Sequence, residues 1–563
     1  MYTADFETTT DANDCRVWLW AICEIGSPDN VYYGNDIDSF FNICKESGNL
    51  ILYFHNLKFD GSFILNWLFN NGFLFVDGKK IPNGCFTTLI SDKGLFYKIK
   101  IRFDNGNSLE LRDSLKLLSF SVDQIAKAFN LPYQKLEIDY SKYRPIGYEP
   151  TEKEKDYIHS DVAIMGLALH QIFGMGYKKL TQGSCALDDF IKIIGGKKKF
   201  RHIFPLFPYD SEIRKSYKGG FTYLNPIYAD KDIGRGIVLD VNSLYPSRMY
   251  FSNLPYGEGK YFEGKYIYDK KYPLYIINFR CEFELKEGKI PTIQLKSNYR
   301  FMPTEYVTSS DGDAVEMCLT SVDFELFLEH YHVYNLEFFG GWKFKQNNTI
   351  FRAYIDKWMK IKIESSVNGN KTLRTWAKIM LNSLYGKFAL NPICAKKVPY
   401  MGEDGILHFS VTNKEEREGN YLPVGAFITA YARRYTIESS QKIKDYSIRK
   451  YGVDMYIYSD TDSIHTTLSK EEVKNILEID DNELGKWKIE NEFERARFLR
   501  AKSYIEDING TLQITCAGLP ERCYNQVTWE NFHPDVVYSG KLVPRQEKGG
   551  IVLHETEFHI RAT

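Results

Sequence analysis

Hydrophobic and polar positions in roughly the first 180 residues alternate in short blocks that predict strands interleaved with helices. "YTADFETTT", from Tyr2, reads as a strand, "YFHNLKFDGSF" as a strand turning into a helix, and "EKEKDYIHSDVAIMGLALHQIF" as a longer helix. Around Tyr217 the segment "YKGGFTYLNP" interrupts the pattern, and a mixed region punctuated by Gly and Pro runs to about residue 346. Helical periodicity returns from Phe351 to Phe388. There Lys371, Arg374, Lys378, Asn382 and Tyr385 form one stripe, while Leu373, Trp376, Ala377, Met380 and Leu384 form the opposite one, so one face is cationic and the other core. A polar, turn-rich piece over 389–421, with no evident core role, precedes a helix starting near Val424. The hairpin-like "MYIYSDTDSIHTT" of Met455–Thr467 follows.

Composition bounds the class. A chain of 563 residues holds about three or four domains. Its 44% hydrophobic and 26% charged residues describe a soluble globular protein. No apolar run reaches a membrane span and no signal peptide is evident, so no membrane association and a cytosolic location are expected. The ten cysteines contain no CxxC pair and suggest neither a zinc site nor a disulfide framework. A net charge of −1 argues against a uniformly basic coat but leaves local patches. One is "KKKFRH" at Lys197–His202. In the other, Arg495, Arg497, Arg500 and Lys502 alternate with Phe498 and Tyr504, placing cations for phosphates beside rings for bases.

Carboxylates carry the chemistry. Asp5 and Glu7 stand two apart on a strand and share a face. Asn56 and Asp60 sit where a strand becomes a helix, and Tyr157 and Asp161 lie at i and i+4. Four carboxylates and a phenol suit a two-cation phosphodiester hydrolase, in which metals activate a water and the phenol orients it. Asp460 and Asp462 are likewise two apart, expected on one strand face, where their mutual repulsion calls for a divalent cation. In "GIVLDVNSLYPSRMY" an apolar strand ends at Asp240, a third carboxylate. The tight turn expected next, at Ser243, Leu244 and Tyr245, offers amides to phosphate oxygens.

In order, "DVNSLYP", "KIMLNSLYG", "YSDTDS" and "KSY" resemble the polymerase motifs of family B DNA polymerases, and "DFE", "NLKFD" and "YIHSD" resemble their proofreading exonuclease motifs. "YKGGF" between the sets, and an insertion on each side of the Lys378 helix, resemble the protein-primed branch from small tailed bacteriophages. The resemblance implies an α/β and α+β multidomain fold. It begins with a ribonuclease-H-like 3'-5' exonuclease domain (1–181). A right-hand polymerase follows: palm (182–253 and 422–518), fingers (346–388) and thumb (519–563), with insertions at 254–345 and 389–421.

It also implies roles. Asp240 and Asp462 would bind two Mg²⁺ ions, with Asp460 assisting and Val241 among the metal contacts; Mn²⁺ would substitute. Lys378 would neutralise the triphosphate together with Lys362 or Lys371, and Arg374 and Asn382 lie on the same face. Tyr245 and Tyr385 would line the nascent base pair, while Lys502 and Tyr504 would hold the primer terminus. Asp5, Glu7, Asp60 and Asp161 become exonuclease metal ligands supported by Tyr157 and Lys142. Thr8, His55, Asn56, Phe59, Ser114, Leu115, Phe120 and Tyr148 would grip the frayed 3' strand, and Tyr217, Gly219 and Gly220 would pass it between sites. Expected partners are template and primer DNA, deoxynucleoside triphosphates and a terminal protein whose hydroxyl primes synthesis; the chain is otherwise monomeric, in the cytoplasm of an infected bacterium. The 254–345 region would dock the terminal protein, and 389–421 would close around DNA for processivity and strand displacement. A metal-dependent glycosyltransferase would explain Asp-x-Asp but not the N-terminal carboxylates, and a nuclease alone would not need Asp240 and Lys378.

Overall fold

The computed structural model describes residues 1–295 and 305–560. Strand Tyr2–Thr8 pairs antiparallel with Val17–Glu24 and parallel with Leu50–Phe54, inside an eight-stranded sheet. The run "VWLWAIC" is apolar almost throughout because that strand is covered on both sides. Trp20 and Ile22 join one core with Phe63 of helix Leu57–Asn70, while Leu19, Ala21 and Cys23 join another with Ile158 and Val162 of helix Glu152–Gly174. Thr151 and Glu154 cap the start of the latter helix reciprocally, worth about 1 kcal/mol.

A second, five-stranded antiparallel sheet carries the other carboxylates. Its order is Trp487–Phe493, Gly236–Val241, Ser463–Thr466, Tyr456–Asp460 and Thr222–Leu224. Helix Leu422–Tyr451 buries Ala432, Ile437 and Ile443 against this sheet. The periodic stretch from Phe351 resolves into helices Arg352–Val367 and Lys371–Ser383, the second capped by Asn370. Trp358, Trp376 and Met380 of this pair belong to one core that also contains Tyr53 and Leu117, so the two halves of the chain are packed together.

The expected 254–345 region is built on a four-stranded antiparallel sheet, with Leu254–Glu263, Tyr331–Asn347, Leu274–Leu285 and Val315–Thr320 in that order. Its part at 296–304 lies outside the described residues. The 389–421 piece forms a hairpin, Lys397–Met401 with Leu407–Val411, and does have a core role: Leu407 is buried in the N-terminal core, Phe409 packs 5.9 Å from Phe96, and Lys396 Nζ lies 2.9 Å from Asp77. The basic–aromatic patch is also less exposed than its sequence suggests. Arg497 and Phe498 are buried, and Arg495 and Arg497 are both paired to Asp232, because the strand Arg495–Arg500 is an inner member of a four-stranded sheet. The final hairpin, Val537–Glu547 with Gly550–His559, crosses back onto the N-terminal half, where Gly550 meets Phe63. Among the described residues no helix is long and apolar enough to cross a membrane.

Candidate active sites

Asp5, Glu7, Asp60, Tyr157 and Asp161 line one cavity of about 340 Å³, shared with Thr8, His55, Asn56 and Phe59. The chain reaches Asp60 through Asn56, whose left-handed backbone (φ 77°) turns strand into helix while its N–H donates to Asp113 Oδ1 at 3.0 Å. Burial pushes the Asp5 carboxyl up to about 7, and the charge of Asp161 adds to the rise. Burial also raises Glu7 and Asp60 well above the usual carboxylate range, with Asp5 repelling both. Asp161 is raised by burial and restrained by Lys135. Asp60 Oδ1 and Asp161 Oδ1 are buried without a hydrogen-bond partner among the described residues. Oxygen donors that repel one another and lack partners fit a hard divalent cation.

Two residues absent from the sequence reading complete this site. Lys135 Nζ stands 2.6 Å from Asp161 Oδ2, and Tyr140 Oη lies 2.7 Å from Tyr157 Oη. The expected lysine, Lys142, points elsewhere: its Nζ donates to Tyr148 Oη, which in turn donates to Glu154 Oε2 at the start of helix Glu152–Gly174. Lys142 and Tyr148 therefore brace a helix start instead of facing the carboxylates. Both lysines lie in an irregular segment with no periodicity to tell which turns inward. His55 is held by Ser114 Oγ at 3.0 Å and the Phe120 carbonyl at 2.7 Å, and burial lowers its pKa. Ser114 is itself buried and Leu115 N–H bonds Asp113, so these two shape the wall behind His55. Ile551, Val552 and Leu553 of the last hairpin also line the cavity.

At the second site the strand expectation is corrected. Asp460 ends its strand, but Asp462 sits in the following turn. Its N–H donates back to the Asp460 carbonyl at 2.7 Å around Thr461, which has φ 62°. A β-branched residue held there is strained. Val241 N–H donates to the Asp462 carbonyl at 2.8 Å and fixes the turn beside Asp240. Gly220 leaves the turn its space, since a Cβ there would lie 2.4 Å from Thr461 Oγ1; Gly219 faces open space. Tyr217, half-buried, packs against the shared core. Burial and Asp462 push Asp240 up to about 7, with Glu490 adding and Lys488 and Lys378 opposing. Burial raises Asp462 as well. Both oxygens of Asp460 are occupied: Lys502 Nζ takes them at 2.7 and 2.8 Å, and Thr222 Oγ1 reaches one at 3.1 Å. Asp240 and Asp462 are thus the pair left open to cations.

The turn expected after Asp240 is the start of a helix, Leu244–Phe251, entered through Ser243 at φ 57°. Pro246 has no N–H and Ser247 N–H bonds the Ser243 carbonyl at 2.9 Å, so the first-turn amides without an acceptor among the described residues are those of Leu244 and Tyr245, which can meet an anion. Tyr245 stacks on Tyr385 with ring centres 4.1 Å apart. Lys362 Nζ lies 3.3 Å from Ser243 Oγ, and burial followed by the charges of Lys378 and Arg374 lowers its pKa. Lys362, Arg374, Lys378 and Asn382 line one cavity with Phe120, whereas Lys371 stands exposed at the start of its helix. Of the two lysines left open by the sequence, Lys362 is the one at the site. Tyr504 stacks on Phe498 with ring centres 4.7 Å apart.

A family profile matches the greater part of the chain. DNA polymerase type B, organellar and viral, aligns with residues 43–149 and 137–480. The chain belongs to this family. The DNA polymerase of Bacillus phage Nf is 45% identical over 100% of this chain and 99% of its own, and that of Streptococcus phage Cp-1 is 34% identical at the same coverage. Phi29 DNA polymerase complexed with primer-template DNA superposes with a TM-score of 0.93 at 42% identity, covering 100% of both chains. The complex of that polymerase with primer-template DNA and incoming nucleotide superposes at 0.91. The type B polymerase fold, an N-terminal α/β unit followed by a right-hand body, is therefore present throughout.

Proposed function

We propose that this DNA polymerase is a protein-primed replicase with a 3'-5' proofreading exonuclease in the same chain. The observation that supports the reading is the presence of two carboxylate centres on different elements and in different surroundings, one largely buried and one half-buried. The centre at Asp5, Glu7, Asp60 and Asp161 is a half-open cavity of about 340 Å³, room for a single frayed nucleotide, with Tyr157, Tyr140 and Lys135 placed to orient a water. The centre at Asp240 and Asp462 opens toward Lys362, Lys378 and the free amides after Ser243, which suit a triphosphate. Mg²⁺, with Mn²⁺ as a substitute, would be held by these carboxylates; it would make the attacking oxygen more nucleophilic and neutralise the leaving one. Lys362 and Lys378 offset phosphate charge, Tyr245 and Tyr385 wall the base pair, and Lys502, placed beside Asp460, meets the primer terminus.

Residues 1–181 would be the exonuclease, 182–253 and 422–518 the palm, 346–388 the fingers and 519–563 the thumb. The sheet within 254–345 docks the terminal protein and the 389–421 hairpin encloses DNA. Template, primer, deoxynucleoside triphosphates and terminal protein are the partners, in the cytoplasm of an infected bacterium. Primer extension with labelled nucleotides, with and without terminal protein, tests the reading. Asp462→Asn should abolish extension and keep 3' trimming, and Asp5→Ala with Asp161→Ala should do the reverse. Loss of both activities from either folded variant would refute the two-site assignment.

A further inference from the structure

Lys488 lies directly opposite Asp240 in the antiparallel register of Gly236–Val241 with Trp487–Phe493. Residues so paired project to the same face, and Lys488 Nζ stands 3.7 Å from Asp240 Oδ2. That distance is a loose ion pair. The Lys488 side chain is a third exposed and holds one oxygen loosely, whereas Lys502 is bound to both oxygens of Asp460. Lys488 therefore keeps the freedom to meet another partner.

Its surroundings say which. Across the opening stand Lys362, Arg374 and Lys378 from the paired helices, and the charge of Lys488 is felt at Lys362 together with the other two. Asp240, Asp462 and Glu490 supply the opposing charge. Any cation held by Asp240 and Asp462 spends that negative charge and repels Lys488. In the loaded site the lysine would have like charges around it and Glu490 as the remaining carboxylate, so a polyanion would be favoured there. The free amides after Ser243 and the nearby Lys362 place such an anion on the helix side, with the sheet side left to Lys488.

We infer that Lys488 is a phosphate ligand of the polymerase centre, gripping the incoming nucleotide's triphosphate, and the pyrophosphate released from it, from the sheet opposite Lys362 and Lys378. This rests on the polymerase reading. Its rival is a lysine that merely serves as counter-ion to Asp240.

Lys488→Met and Lys488→Arg in the full chain separate the two. Nucleotide KM is measured at saturating Mg²⁺. Equilibrium binding is measured by displacing a fluorescent deoxynucleotide from a complex with a dideoxy-terminated primer, and the KM for pyrophosphate is measured in the reverse reaction. Loss of one charge-assisted contact should raise the nucleotide KM and Kd about tenfold to a hundredfold in Lys488→Met, with the pyrophosphate KM rising in parallel. Turnover should change much less, and Lys488→Arg should keep most of the affinity. Single-strand trimming, carried by the distant carboxylate cavity, reports that each variant is folded; if Lys488→Met loses it, Lys488→Gln replaces that variant. Unchanged nucleotide and pyrophosphate affinities, with only the Mg²⁺ requirement altered, would overturn the proposal in favour of the counter-ion. A wild-type chain that trims DNA but never extends a primer would instead sink the polymerase reading itself.

Discussion

Adding one methyl group at Gly220 should disable synthesis and spare trimming. The backbone of Gly220 is not left-handed, so alanine is conformationally acceptable there and the effect is steric. Its Cβ would lie 2.4 Å from Thr461 Oγ1, 2.7 Å from Cγ2 and 2.9 Å from Cβ. Non-bonded carbons settle at about 3.5–4 Å, so relief requires a shift of about 1 Å. Thr461 cannot yield alone. Its N–H is bonded to the Phe221 carbonyl at 2.7 Å, its own carbonyl accepts from Thr436 Oγ1 at 2.7 Å, and its φ of 62° is already strained. The turn must move as a unit and carry Asp462 away from Asp240. Overpacking of this kind costs about 1–3 kcal/mol of stability, and a misplacement of about 1 Å costs about a hundredfold in rate. Gly220→Ala is therefore expected to slow single-nucleotide incorporation about a hundredfold at saturating nucleotide and Mg²⁺, with single-strand trimming unchanged. Thr461→Gly removes all three clashing atoms and suits a positive φ, so the double variant should recover most of the lost rate, a strongly non-additive pair. Wild-type incorporation by Gly220→Ala, or no recovery in the double variant, would refute the reasoning.

Burial pushes Asp5 and Asp240 up to about 7 in the folded chain from an ordinary value of 3.8, so folding takes up protons between these limits and the metal-free protein should lose stability as pH rises through about 7. Thermal midpoints near pH 6 and near pH 8 check this: Asp5→Asn with Asp240→Asn, or added Mg²⁺, should flatten the difference. Tyr245→Val removes the ring stacked on Tyr385, and the ratio of kcat/KM for ribonucleotide to that for deoxyribonucleotide should rise; an unchanged ratio would leave Tyr245 as packing alone. Phe409→Ala with Lys396→Ala should loosen the 389–421 hairpin from its seat on Phe96 and Asp77, shortening products on long templates while short-gap filling continues, as product lengths on a nicked circle would report.

The sequence by itself determined what lies within single elements. Asp5 and Glu7 two apart on a strand, Tyr157 and Asp161 one turn apart on a helix, and the cationic stripe through Arg374 and Lys378 are all periodic, and period is a local property of the backbone. It misplaced Asp462, because a three-residue turn and a continued strand read alike when both carry polar residues. It named Lys142 from the resemblance alone and missed Lys135, because an irregular segment has no period to orient its side chains. Only the tertiary structure set Lys488 against Asp240, 248 residues away by the difference of their numbers, or brought Ile551–Leu553 to the cavity of Asp5. Those neighbours follow from strand register and from packing between distant elements. Both are fixed by the total burial of the folded chain, and no local pattern of hydrophobic and polar residues encodes them.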